Sequence, residues 1–278
     1  MIPPIARRFV AGESAASALE HTRRLNDDGV GVILNLLGEH YEERGPADED
    51  TDAYRELLAE LGGTGLDACI SVKPSQLGLD VGEGVFRENL ERVVAAAAEH
   101  GRFVWIDMED HTTTDATLEA FTAQVESYPA MGLCLQANLK RTPRDVELLA
   151  DLPGKVRLVK GAYEEPPEIA YTDKARVDEA YRDLLDLAFR TFDGGVAVGS
   201  HDPEMVAHAA ELHEEYGTDY EVQMLMGVRE DAQRELAAEG VTVYQYAPYG
   251  RRWLSYFYRR AMERKENALF ALRAVVSG

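Results

Sequence analysis

Lysine is nearly missing from this chain: of 278 residues only six are lysine, against 23 arginines. Cysteine is scarcer still, with Cys69 and Cys134 alone. Each lies inside an apolar run, with no CxxC spacing and no Cys/His cluster, so a disulfide framework and a zinc site are excluded and two buried thiols are expected. The seven histidines form no HxxxH or HxH pair, and His208 and His213, five apart on an expected helix, turn to different faces. No metal site is expected. No apolar run approaches the ~20 residues of a membrane span, and the N-terminus lacks the apolar core of a secretion signal. No Pro- or Ser-rich linker divides the chain. Positive charge is also in deficit, with 50 acidic residues against 29 basic ones and a net charge of −21. A surface of that sign repels phosphate, which excludes a nucleic-acid binder.

What is present is enough hydrophobic sequence, 45%, to build a sizeable core. An acidic, lysine-poor surface suits a chain that stays hydrated at high salt, where screening removes most of the self-repulsion. The expectation is a soluble protein of a salty cytoplasm.

Eight short β-rich runs occur, at Val30–Leu37, Asp67–Lys73, Phe103–Asp107, Gly132–Ala137, Val156–Gly161, Val196–Ser200, Tyr220–Met224 and Val241–Ala247. Nearly every one precedes a segment with helical periodicity, as at Val85–Ala98, Ala116–Val125, Val177–Phe189 and Pro203–Glu215. Several runs are apolar at successive positions, the pattern of parallel strands covered on both faces. Eight β/α units in a chain of this length predict an α/β fold, a (β/α)8 barrel. The rival is a doubly wound open sheet. A dinucleotide-binding open sheet usually carries a GxGxxG turn after its first strand, and none occurs here. One domain over 1–278 is expected, with a short helical extension over about 1–28. The acidic stretch Glu39–Asp52 reads as an exposed loop.

Barrel chemistry gathers at the C-terminal ends of the strands. Those ends are polar here: Lys73, then Asp107 with Glu109 and Asp110, then Gln136, Arg157 and Lys160, Ser200-His201, Gln223 and Tyr246. A single such residue is as well explained as a helix cap; seven ends converging on one axis are not. In the last helical segment Tyr256, Arg259, Arg260 and Glu263 share one face by their i, i+3, i+4, i+7 spacing. Two adjacent guanidiniums call for an anion: Glu263 can pair with one and a ligand carboxylate with the other. The alternative is a surface Arg/Glu helix.

Arg157-Leu-Val-Lys160-Gly-Ala-Tyr163, Tyr246-Ala-Pro-Tyr-Gly250 and Tyr256-x-x-Arg259-Arg260-x-x-Glu263 together resemble the proline dehydrogenase family, in its short monofunctional bacterial and archaeal form. Ser71-Val-Lys73, Ile106-Asp-Met-Glu109 and Leu135-Gln-Ala137 match in the same order. The chain departs from the family's usual pattern at Ser200-His201-Asp202, where Thr-His-Asn is common, at Met226, often aromatic, and at Asn138, often tyrosine.

The resemblance implies a distorted barrel holding FAD, with the last helix over the strand ends. It implies oxidation of L-proline to 1-pyrroline-5-carboxylate by hydride transfer to flavin N5, the first step of proline catabolism. By the same resemblance Lys73, Arg259 and Arg260 hold the carboxylate, with Glu263 bracing one arginine. Tyr246 and Leu225 pack the apolar edge of the ring, beside Ala162 and Tyr256. Asp107 orients Tyr246 and Lys73, and Arg157 faces the flavin. Met108, Gln136, Lys160, Gly161, Ala162, Ser200 and His201 contact the cofactor or its phosphates. Implied partners are an electron acceptor such as a quinone and a separate pyrroline-5-carboxylate dehydrogenase. The implied location is the cytoplasm, or the inner face of the membrane. Apart from the resemblance, strand-end Lys73 and Lys160 also suit a Schiff-base aldolase, and a non-catalytic proline-binding barrel is the third reading.

Overall fold

The computed structural model describes residues 6–193 and 195–254. Tyr256, Arg259, Arg260 and Glu263 lie outside the described residues. Among those described, eight parallel strands close into a barrel in chain order, β8 pairing back with β1. They are β1 (Gly31–Leu36), β2 (Ala68–Val72), β3 (Val104–Ile106), β4 (Met131–Gln136), β5 (Lys155–Val159), β6 (Val196–Gly199), β7 (Tyr220–Leu225) and β8 (Val243–Tyr249). The helices are α1 (Ala15–Asp27), α2 (Arg44–Gly62), α3 (Glu83–His100), α4 (Thr114–Val125), α5 (Thr142–Leu149), α6 (Lys174–Thr191), α7 (Pro203–Tyr216) and α8 (Glu230–Ala238). The expected (β/α)8 barrel is therefore the fold.

Strand alternation sorts the core into two shells. Outward residues such as Val32, Leu34, Val104, Ile106, Val156, Leu158 and Val222 pack under the helices in one large cluster. Inward, Ile33, Cys69, Trp105 and Ala197 form a smaller cluster with Phe103, Tyr244 and Tyr246. Both cysteines are buried and free, as expected, and burial pushes the Cys69 thiol well above its ordinary pKa.

The stretch Glu39–Asp52 corrects its sequence reading. It is a loop only as far as Glu43; α2 begins at Arg44 and buries Ala47, Thr51, Tyr54, Leu57, Leu58 and Leu61. The acidic residues share the first turns with Gly45 and Pro46, which mask the start, although proline is tolerated in a first helical turn. A second correction concerns β8, which runs two residues past Ala247, through Pro248. Proline lacks the N–H that a ladder needs. Its carbonyl is nonetheless used, accepting from Ala11 N at 2.8 Å.

The N-terminal helix is part of the barrel wall. Ser14 and Ser17 cap α1 reciprocally, and its Ala18, Leu19 and Leu25 enter the main core. The strand of chain before it is tied to the end of β8, where Gly250 N donates to Gly12 O at 2.8 Å.

Candidate active site

The strand ends enclose a cavity of about 940 Å³, in the upper range for small-molecule sites. Each sequence-predicted site residue among the described ones lines it: Lys73, Asp107, Met108, Gln136, Arg157, Lys160, Gly161, Ala162, Ser200, His201, Leu225 and Tyr246. These come from seven different strand ends, so the closure of the barrel is what brings them together.

Asp107 organises the floor. Phe103, Trp105 and Asp107 alternate along β3 and its two flanking residues, and so point inward together. Asp107 Oδ1 accepts from Ser71 Oγ at 2.6 Å and from Arg157 Nη2; its Oδ2 accepts from Tyr246 OH at 2.7 Å and from Lys73 Nζ at 3.3 Å. Burial alone would raise its pKa, but the Lys73 and Arg157 charges and the hydroxyl donors outweigh it and hold the carboxyl at about 2. In return, Asp107 lifts the Lys73 ammonium above its ordinary value against the opposing effect of burial. Burial first, and Asp107 second, push the Tyr246 phenol well up, so it stays a neutral donor.

Arg157 lies between two rings, its guanidinium 5.0 Å from the Trp105 centroid and 5.8 Å from that of Tyr246. Trp105 reaches this place because β4 has Gly132 beside it, where a Cβ would sit 2.3 Å from the indole.

The loop after β5 forms the opposite wall. Gln136 Nε2 donates to the Glu109 carbonyl at 2.7 Å, and its Oε1 faces Ala162 N at 3.4 Å. Glu109 is itself buried, receives Ser75 N and Ser75 Oγ at 2.7 Å each, and has its pKa raised by burial. Lys160 pairs with Asp178 and, at 2.8 Å, with Asp202. His201 Nε2 accepts from Leu225 N at 2.8 Å, so the ring carries its proton on Nδ1. The loop is anchored from outside by Glu165, which accepts from His111 N at 2.9 Å and pairs with the His111 ring.

Sequence reasoning missed four lining or supporting residues. Ser71 shares a strand face with Lys73 two positions on, a signal that was available. Trp105 shares one with Asp107, but an aromatic there reads as core filling. Gln223 is a polar strand end whose role the sequence does not show. Tyr163, whose phenol is pushed up to about 12 chiefly by burial, has no signal beyond following Ala162.

A parallel barrel whose strand ends converge on one charged, partly apolar cavity defines a barrel enzyme. The proline dehydrogenase family model matches residues 18–273. The chain is 39% identical to a proline dehydrogenase of Deinococcus radiodurans, over 99% of this chain and 91% of that protein. It is 33% identical to proline dehydrogenase 1 of Bacillus subtilis, over 98% of this chain and 90% of that one. Among solved structures it resembles proline utilization A of Bdellovibrio bacteriovorus inactivated by N-propargylglycine, with a TM-score of 0.84 and 25% identity. That match covers 92% of this chain and 32% of the solved one. The chain belongs to the proline dehydrogenase family, oxidoreductases that act on proline.

Proposed function

We propose that this protein oxidises L-proline to 1-pyrroline-5-carboxylate using bound FAD. The observation that carries the reading is the convergence of Lys73, Arg157 and Tyr246 on one ionised Asp107 at the cavity floor. In the reaction the ring C–N bond becomes double as a hydride leaves carbon and a proton leaves nitrogen. FAD, when bound, supplies the two-electron acceptor for that hydride.

The chain's own residues fit such a cofactor. Arg157, Lys160 and Gln136 offer donors along one wall. At Gly199 on β6 a Cβ would lie 2.7 Å from the Leu158 carbonyl, so the wall carries no side chain there. Gly161, at φ +112, keeps the same surface bare after β5. Arg157 is a fixed cation, raised further against burial by its anionic surroundings, and would stabilise negative charge developing beside it. Met108, Gly161, Ala162, Ser200 and His201 would border the same group.

Lys73, held protonated by Asp107, would bind the proline carboxylate together with Arg259 and Arg260, one of them braced by Glu263. Tyr246 and Leu225 would pack the apolar ring edge, near Ala162 and Tyr256. Tyr246 is fixed by its bond to Asp107, so the ring it packs is oriented for transfer.

An aldolase lysine must be deprotonated. Lys73 and Lys160 both have raised pKa values, sustained against burial by their carboxylate partners, which disfavours that reading. A quinone as electron acceptor, a separate pyrroline-5-carboxylate dehydrogenase as consumer of the product, and a salty cytoplasm or the inner membrane face as location complete the proposal. Among the described residues no helix is long and apolar enough to cross a membrane.

The test is an anaerobic titration of the purified protein with L-proline, followed by flavin absorbance. Bleaching at saturating proline supports the reading. A bound flavin that stays oxidised makes the protein a proline-binding barrel without the redox step, and a protein that binds no flavin overturns the cofactor assignment.

A further inference from the structure

Beneath the cavity floor the barrel interior is not filled by apolar side chains alone. The inward positions of β5 and β7 carry Lys155, Arg157, Glu221 and Gln223, and these bond in series. Arg157 Nη1 donates to Gln223 Oε1 at 3.2 Å, Gln223 Nε2 donates to Glu221 Oε1 at 2.7 Å, and Lys155 Nζ donates to Glu221 Oε2 at 2.6 Å. Arg157, Gln223 and Glu221 are each 4% exposed, while the Lys155 side chain, a third exposed, reaches solvent. Buried polar groups of this kind are tolerated only when each is paired, and here each is.

The amide of Gln223 sits between opposite charges. Its oxygen faces a guanidinium and its NH2 faces a carboxylate. Turned over, it would set NH2 against guanidinium and oxygen against carboxylate, making both contacts repulsive. Glu221, balanced by Lys155, therefore fixes which end of the amide meets Arg157. Arg157 needs that second contact. Its other polar contacts, to Asp107 Oδ1, to Ser71 Oγ at 3.5 Å and to the Cys134 thiol, give the guanidinium only one strong acceptor besides Gln223. The Gln223 oxygen on Nη1, the Trp105 face at 5.0 Å and the Tyr246 ring at 5.8 Å together define its plane.

We propose that Gln223 is a positioning residue for Arg157, and that the Glu221–Lys155 pair below it sets the direction of its amide. The proposal rests on the reading of Arg157 as the cation beside bound flavin. Gln223 would then affect the transfer step more than proline binding, since the carboxylate is held elsewhere.

The test uses Gln223→Met, Glu221→Gln and the double variant, in a Trp253→Phe background. Trp105 and Trp253 are the only tryptophans, so emission then reports Trp105 alone. Three quantities are measured: Trp105 emission in protein freed of flavin, kcat and KM for proline in the holoenzyme, and the midpoint potential of the bound flavin. Losing an electrostatic donor outright costs 10²–10³ in kcat, so displacing one is expected to cost about tenfold. Gln223→Met should therefore lower kcat about tenfold with KM within about twofold, move the potential to more negative values, and shift the Trp105 emission maximum. Glu221→Gln should act in the same direction and more weakly. The double variant should be no worse than Gln223→Met, because Glu221 acts through Gln223.

Unchanged Trp105 emission with kcat within twofold of the parent overturns the proposal, whatever happens to the melting temperature. Losses that multiply in the double variant overturn it too, since Glu221 would then act by another route. Should Gln223→Met fail to fold, Glu221→Gln decides by the same readouts, its Lys155 being able to turn to solvent. If proline does not reduce the parent's flavin, the functional reading fails, and Trp105 emission in the flavin-free proteins still decides the positioning.

Discussion

Asp107 receives bonds from four side chains, and its ionisation is the condition on which their arrangement depends. Its pKa of about 2 lies below the ordinary 3.8, so it contributes stability throughout the range above about pH 4 and loses it as pH falls towards about 2. The amount is about 2 kcal/mol. Asp107→Asn should be less stable than the parent at pH 7, and the gap should narrow by about that amount between pH 4 and 2 in urea unfolding. A gap constant with pH would show that folding does not lower the Asp107 pKa.

Lys73 and Asp107 form one network, so Asp107→Ala and Lys73→Met should be non-additive in a double-mutant cycle on kcat/KM. Losses that add within a few tenths of a kcal/mol would separate the two residues. Arg259→Met or Arg260→Met should raise KM for proline with flavin still bound, by the ~1.5–3 kcal/mol of a charge-assisted contact. Both variants at parental KM would contradict a carboxylate clamp.

At the scale of the residue the sequence was informative wherever a polar side chain ends an apolar strand. Lys73, Asp107, Gln136, Arg157, Ser200 and Tyr246 could be read that way, because a polar group there has no reason to interrupt a barrel core. Trp105 could not. An aromatic within a strand looks like core filling, and only the facing strands show that its ring supports a guanidinium.

Among the elements, β3 and β4 are matched through one missing side chain. Trp105 pairs with Gly132 in register, and a Cβ on Gly132 would sit 2.3 Å from the indole. The backbone there has no left-handed φ, so the constraint is steric alone. Gly132→Ala should cost ~1–3 kcal/mol by overpacking and shift Trp105 emission through the displaced ring. An unchanged melting temperature would mean that the indole yields without cost. The start of α2 shows the opposite kind of difficulty. Its buried stripe from Ala47 to Leu61 has helical spacing, but the acidic first turns with Gly45 and Pro46 carry the composition of a loop. Composition there reports the solvent-facing side, and the helix is held by the other. β8 continues past Pro248 for a related reason: the proline is placed where only its carbonyl is called upon.

Across the whole molecule, arginine does what few lysines could. Arg44 bridges Asp48 and Glu88, Arg87 bridges Glu83 and Glu119, and Arg141 bridges Asp115 and Asp145. A planar fork can serve two carboxylates at once. The exposed pairs among these are each worth little, and pairs of this kind do not neutralise a charge of −21. Diluting salt from 1 M to 0.01 M lengthens the screening distance from about 3 Å to about 30 Å, so the melting temperature should fall steadily over that range. A constant melting temperature would remove the halophilic reading and leave the catalytic one standing.

The order of eight strand–helix units, the two-faced burial of the strands and the polar residues at their ends are written in the sequence, because periodicity and local chemistry act over a few residues at a time. Which side chains meet across the barrel is not. Asp107 finds Arg157 and Tyr246, and Gln223 comes to lie between Arg157 and Glu221, only when β8 pairs with β1 and the inward positions of distant strands face one axis. Pairing between residues 50 or 139 positions apart has no local signal; it is decided by closure of the sheet.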